Sequence, residues 1–213
     1  MQVMKQIHNI IFDLGSVLLD IDVDRTLRLF EEIGIPSLDM RKIYREKDNF
    51  FLLFERGEID ANTFRDKLRR ISSNHLSNDQ IDNAWNAMVV GFPKGKVELL
   101  RCLKEKYNLY LLSNTNEIHL PVYSRQFIEA SGGTALHEIF NKLYYSHVIK
   151  CNKPDPEIYR YVIHDAGLIA EECLFIDDLQ QNIEAALKFG IVSHRFTEDE
   201  DLEEVLKKHH ISC

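Results

Sequence analysis

The 213-residue chain carries 34 acidic and 26 basic residues, a formal charge of −8, and has no Lys/Arg-rich run. That balance argues against nucleic acid or an anionic membrane as its main partner. No apolar stretch approaches the roughly 18 residues of a membrane span, and Met1 to Gln6 lead into a strand with no signal-peptide core, so a cytoplasmic protein is expected.

The first apolar run, 7–12, reads as a strand, and Gly15 and Ser16 then break the pattern into a turn. From about Asp24 to Val90 helix signals replace strand signals. Leu27, Phe30 and Ile33 recur at helical spacing. Asp60 can cap a helix over 61–71, and Ser77 can cap one with Ile81, Trp85 and Met88 on one face, ending at Gly91. This segment reads as an all-helical insert. Alternation resumes at Pro93 with a helix over 94–107, a strand to Ser113, a long segment to Asn141 and a strand over 143–146. Pro156 opens a helix after Asp155 and Gly167 closes it. A strand at 173–176, a helix at 183–189 stopped by Gly190, a strand at 191–196 and a helix at 200–208 complete the chain. Strands separated by such helices imply right-handed crossovers and a parallel sheet covered on both faces. Cys102, Cys151, Cys173 and Cys213 have no CxxC spacing and read as free thiols, and the nine histidines show no metal-ligand pattern. The string Gly91-Phe92-Pro93-Lys94-Gly95-Lys96 resembles a nucleotide-binding loop but is a residue short and lacks the final hydroxyl, so it reads as a hinge and helix start.

In an open parallel sheet the carboxyl ends of the strands share one rim, where ligands bind. Four polar clusters follow apolar runs and fall on that rim: Asp13, Ser113-Asn114, Lys153 and Asp177-Asp178. Three carboxylates repel one another unless a cation sits among them, and a lysine with a Ser-Asn pair suits a phosphate. Each cluster alone has an ordinary reading as a turn residue, a helix cap, a surface lysine or an acidic pair at a helix start. Together they predict a magnesium-dependent phosphate site.

The segments carrying these residues are Ile11-Phe12-Asp13-Leu14-Gly15-Ser16-Val17-Leu18, Leu112-Ser113-Asn114-Thr115-Asn116, Lys153-Pro154-Asp155-Pro156-Glu157-Ile158-Tyr159, and Phe175-Ile176-Asp177-Asp178 through Asn182-Ile183-Glu184-Ala185-Ala186. In this order and spacing the chain resembles a phosphatase of the haloacid dehalogenase superfamily, nearest the sugar-phosphate phosphatase branch. The resemblance implies an α/β fold with a Rossmann-like parallel sheet over 1–19 and 92–213, helices on both faces, and a small all-helical cap domain over 20–91 inserted after the first strand. It also implies roles. Asp13 would attack phosphorus to form an aspartyl-phosphate. Mg2+ would be held by Asp13, the backbone carbonyl of Gly15 and Asp178, with Asp177 orienting the metal site. Ser113 and Asn114 would bind phosphoryl oxygens, and Lys153 would balance charge on both Asp13 and phosphate. The substrate implied is a small phosphorylated metabolite.

Gly15 departs from the family pattern, which places a second Asp there as general acid and base. Losing a positioned acid costs about 10²–10⁴ in rate. The expected substrate is therefore one whose leaving oxygen needs little protonation, such as a sugar 1-phosphate. Asp20 and Asp22 are candidate replacements, with turn or cap roles as the plainer reading. Phe50, Phe51, Phe54, Glu55 and Trp85 could line a pocket, yet aromatics at helical spacing usually pack. Two other readings remain: a dehalogenase that displaces halide without metal, against which Asp177-Asp178 argues, and a non-catalytic phosphate-binding protein.

Overall fold

The computed structural model describes residues 6–36 and 49–213. Within these residues the strands are β1 (Asn9–Phe12), β2 (Asp20–Ile21), β3 (Val89–Gly91), β4 (Asn108–Ser113), β5 (Lys142–Tyr145), β6 (Cys173–Asp177) and β7 (Val192–Arg195). Five of them form one sheet in the order β5-β4-β1-β6-β7, and every pairing in it is parallel. The chain is thus an α/β protein with a Rossmann-like sheet, as the alternation of elements predicted.

Burial on both faces follows from the strand residues themselves. Side chains alternate across a strand, so a run with apolar residues at every position feeds two layers. Ile10, Phe12, Leu109, Leu111, Leu174 and Ile176 enter one layer. Ile11, Tyr110, Leu112, Cys173 and Phe175 enter the opposite one. Helices Pro156–Ala166 and Gln180–Leu187 cover the second layer through Ile158, Tyr159, Val162, Ile183 and Ala186. From β1 the chain proceeds to β4 and β5 on one side, then returns to β6 and β7 on the other. Connections therefore diverge between β1 and β6, which opens a crevice at their carboxyl ends.

Between β2 and β3 lie the helices Val23–Glu32, Phe50–Glu55, Ala61–Ile71 and Asn78–Asn86. The predicted caps form: Asp60 accepts from the Thr63 amide, and Ser77 makes a reciprocal capping box with Gln80. The insert is not all-helical, however. Its two ends pair as an antiparallel ladder, Asp20 opposite Gly91 and Ile21 opposite Val89. Strands of two and three residues are too short to show alternation in a sequence. The portion 37–48 of the predicted insert lies outside the described residues.

Aromatic side chains build the interior of the insert. Phe54 stacks on Phe64 with centroids 4.3 Å apart, and Trp85 lies 5.4 Å from Phe51 and 5.3 Å from Phe64. Phe51, Phe54 and Trp85 are fully buried packing residues, so the pocket-lining alternative for them does not hold. Long stretches left unassigned in the sequence hold the helices His119–Ala130 and Leu136–Ile139, and a short helix Ser146–Ile149 follows β5. Among the described residues no helix is long and apolar enough to cross a membrane.

The first of those helices brings His119 against the insert, its ring stacked on Trp85 at 4.8 Å and its Nδ1 2.8 Å from Asn86 Oδ1. Burial pushes the imidazole down to about 3. An unfolded chain takes up this proton near pH 6.5, whereas the folded chain refuses it until about 3. Stability is therefore expected to fall as pH drops through this window, by about 1.4 kcal/mol per pH unit from this group. His119→Gln should flatten the acid limb of the melting profile, followed by fluorescence of Trp85, the single tryptophan. An unchanged acid limb would show that another group controls it.

Candidate active site

Lys153 is the centre of the site. Its ammonium lies 2.6 Å from Asp13 Oδ1 and 2.7 Å from Asp177 Oδ2, and it donates to the Leu112 carbonyl at 2.8 Å. A lysine has three N–H donors, and all three are engaged. The side chains of Lys153 and Asp177 are buried and that of Asp13 nearly so, so charges withdrawn from water balance one another directly. The three partners come from the carboxyl ends of three adjacent strands, β4, β1 and β6, and the crevice opens between the last two.

Asp178 completes the cluster. Asp13, Asp177 and Asp178 each offer an oxygen within 4.8 Å of the others. Burial pushes the Asp13 carboxyl up to about 7, with Lys153 working against the rise and Asp177 and Asp178 adding to it. Burial also raises Asp178, again with help from Asp177. Carboxyls held above their ordinary range by confinement and by one another are the electrostatic condition that a divalent cation relieves. Hard oxygen donors of this kind fit magnesium. The oxygens of Asp177 are already spoken for: Oδ2 by Lys153, Oδ1 by the Leu179 amide at 2.9 Å and the Asn182 amide group at 2.8 Å. Both oxygens of Asp177 are thus engaged within the protein, whereas Asp13 has one oxygen in the Lys153 pair.

The turn after β1 is built by backbone bonds. The Leu18 and Leu19 amides donate to the Leu14 carbonyl, and the Ser16 amide donates to the Leu19 carbonyl. Ser16 adopts a left-handed φ of 59°. A Cβ on Gly15 would meet Ile21 Cγ1 at 3.3 Å, so Ile21 crowds the place where a longer side chain at 15 would start. Asp22 caps the helix Val23–Glu32 and pairs with Arg25 at 3.1 Å, which is the plainer of its two sequence readings. Asp20 is exposed in β2.

Ser113 is buried at the end of β4, one residue beyond the carbonyl that holds Lys153. Asn114 behaves differently from expectation. Its Oδ1 accepts from the Lys153 amide at 2.8 Å and its Nδ2 donates to the Lys153 carbonyl at 2.9 Å, so the side chain clamps the lysine backbone instead of facing a phosphate. Two more residues matter to which the sequence reading gave no role. Asn182 holds Asp177, and Arg56 of the insert reaches Asn152 and Asp155 on either side of Lys153.

Residues 7–190 match the haloacid dehalogenase-like hydrolase family. The chain belongs to this family. Among haloacid dehalogenase-like relatives, a D-ribitol-5-phosphate phosphatase of Bacteroides thetaiotaomicron is 32% identical over 185 residues, covering 86% of this chain and 89% of that protein. A solved haloacid dehalogenase-family enzyme from Bacteroides thetaiotaomicron, in complex with magnesium and inorganic phosphate, superposes with a TM-score of 0.86 at 36% identity, covering 93% of this chain and 98% of that one. A haloacid dehalogenase-like protein of Porphyromonas gingivalis gives a TM-score of 0.86 at 30% identity over 96% of this chain and 98% of that one. This haloacid dehalogenase-like chain is accordingly a hydrolase of the phosphatase type.

Proposed function

We propose that the chain is a magnesium-dependent phosphomonoesterase acting through an aspartyl-phosphate on a small phosphorylated sugar or polyol. The observation that carries the reading is one buried ammonium bridging two of three clustered carboxylates, with the third facing the same space. Halide displacement has no use for such a cation site. In the proposed first step an Asp13 oxygen forms a bond to phosphorus as the bond to the leaving oxygen breaks. The departing alkoxide takes its proton from water, since Gly15 offers none. In the second step water attacks the acyl phosphate, releases inorganic phosphate and restores Asp13. Magnesium, held by Asp13, Asp178 and the Gly15 carbonyl, would offset the negative charge of the phosphoryl oxygens. Lys153 keeps Asp13 ionised and aimed, Asp177 and Asn114 fix Lys153, and Ser113 with the amides around residue 114 would bind phosphoryl oxygens. In this reading residues 20–91 act as a cap over the rim formed by 1–19 and 92–213.

Two considerations bear on the substrate. The missing acid at Gly15 favours a good leaving group such as the anomeric oxygen of a sugar 1-phosphate, while the relative named for ribitol 5-phosphate favours a terminal alkyl phosphate. A panel of ribitol 5-phosphate, ribose 5-phosphate, glucose 1-phosphate and glucose 6-phosphate, assayed with magnesium and with EDTA, separates them. A clear preference for glucose 6-phosphate over glucose 1-phosphate would refute the leaving-group argument. Failure to hydrolyse any of these, and an aryl phosphate as well, would remove the phosphatase reading. Restoring the acid gives a further check. Gly15→Asp combined with Ile21→Ala, which removes the Cγ1 that a new Cβ would meet at 3.3 Å, should raise the rate on alkyl phosphates by up to about 10²–10⁴ and change the aryl phosphate rate little.

A further inference from the structure

The insert is fastened to the sheet core beside Lys153. After the helix Phe50–Glu55, the Glu55 carbonyl accepts from Ser146 Oγ at 2.6 Å and the Gly57 carbonyl from Lys150 Nζ at 2.5 Å. Between them Arg56 Nε donates to Asn152 Oδ1 at 2.8 Å, and its Nη2 pairs with Asp155 Oδ2 at 3.2 Å. Contact here is at backbone distance: Gly57 has φ 61°, and a Cβ there would collide with the His147 carbonyl oxygen.

Asn152 and Asp155 bracket Lys153, whose own backbone is clamped by Asn114 from the core side. The turn that carries the ammonium is therefore gripped from two directions, by the sheet and by the insert. We propose that Arg56 is a positioning residue for Lys153: seating the insert on the core locks the turn 152–155 and sets the ammonium between Asp13 and Asp177. The inference rests on the phosphatase reading for its kinetic consequence, and on the geometry alone for its mechanical one. A guanidinium bonded to both ends of the turn transmits the position of the insert to the reacting groups without touching them. The Asn152 bond is charge-assisted and the Asp155 pair is partly exposed, so losing this hold on the turn is expected to lower the rate roughly 10-fold or more.

The test compares wild type, Arg56→Ala, Arg56→Lys, Asp155→Asn and the double variant Arg56→Ala/Asp155→Asn, with magnesium, on p-nitrophenyl phosphate and on the best sugar phosphate. Arg56→Ala should lower kcat about 10- to 100-fold on both substrates with KM nearly unchanged. Arg56→Lys should recover part of the loss, and the double variant should be no worse than Arg56→Ala alone. Three outcomes overturn the proposal: kcat within twofold of wild type, losses that multiply in the double variant, or a loss confined to KM on the sugar phosphate, which would make Arg56 a substrate contact. A second measurement does not depend on activity. Hydrogen exchange should quicken over 150–158 in Arg56→Ala while β4 and β6 keep their protection, and equal exchange over 150–158 would also overturn the proposal. Wild-type protein inert toward every phosphate would fail the phosphatase reading while leaving the exchange experiment to decide the coupling.

Discussion

Asp13→Asn should reduce turnover by at least about four orders of magnitude, because an amide offers no carboxylate to bond with phosphorus and the residual rate rests on binding alone. Its stability should move the opposite way from most active-site losses. Burial and two neighbouring carboxylates already push Asp13 up to about 7, so a neutral side chain of the same shape removes repulsion and a desolvation cost. The variant should therefore melt no lower than wild type in EDTA, and gain less than wild type on addition of magnesium. Initial rates on an aryl phosphate and paired melting curves check both statements. Turnover within a hundredfold of wild type would mean that water, rather than Asp13, attacks phosphorus.

Lys153→Met should do the reverse, losing stability as well as activity. Removing the ammonium leaves Asp13 Oδ1, Asp177 Oδ2 and the Leu112 carbonyl without their shared donor. Breaking a buried ion pair from one side costs about 3–5 kcal/mol, a large part of the stability of an ordinary domain. Adding Asp177→Asn should return part of this, since one of the two stranded charges disappears. The catalytic loss, on the order of 10²–10³ for a preorganised electrostatic group, should remain in the double variant. Chemical denaturation of the single and double variants measures the first effect and kcat the second. If Lys153→Met unfolds at the wild-type midpoint, the ammonium does not hold the carboxylates together.

The sheet was legible because its strands are apolar at every position. Ile10 to Phe12 and Leu174 to Ile176 had to be covered on both faces, and each ended in acid. The helix starts at Asp60, Ser77 and Pro156 were legible for a local reason, because a cap and its helix sit within three residues. The helix His119–Ala130 was not, because Pro121 suggests a break, although in the first turn its missing N–H costs nothing. The carboxylates and the lysine could be named from their strand ends, but how they are held could not. Asn114 bonds a residue 39 positions away, and Arg56 one 96 positions away. Such contacts leave no period in the sequence and arise only when the fold closes.

The ladder in which Asp20 meets Gly91 and Ile21 meets Val89 brings outgoing and returning strands of the insertion through the sheet's rim at a single doorway. A segment whose two ends already touch can be exchanged for another of different size without altering any register in the five-stranded sheet. The parts that handle phosphorus and the part that would judge the rest of the molecule can thus change at separate rates over descent. New specificities on this scaffold would come from replacing the helical piece, provided the newcomer brings its own guanidinium to the turn at 152–155.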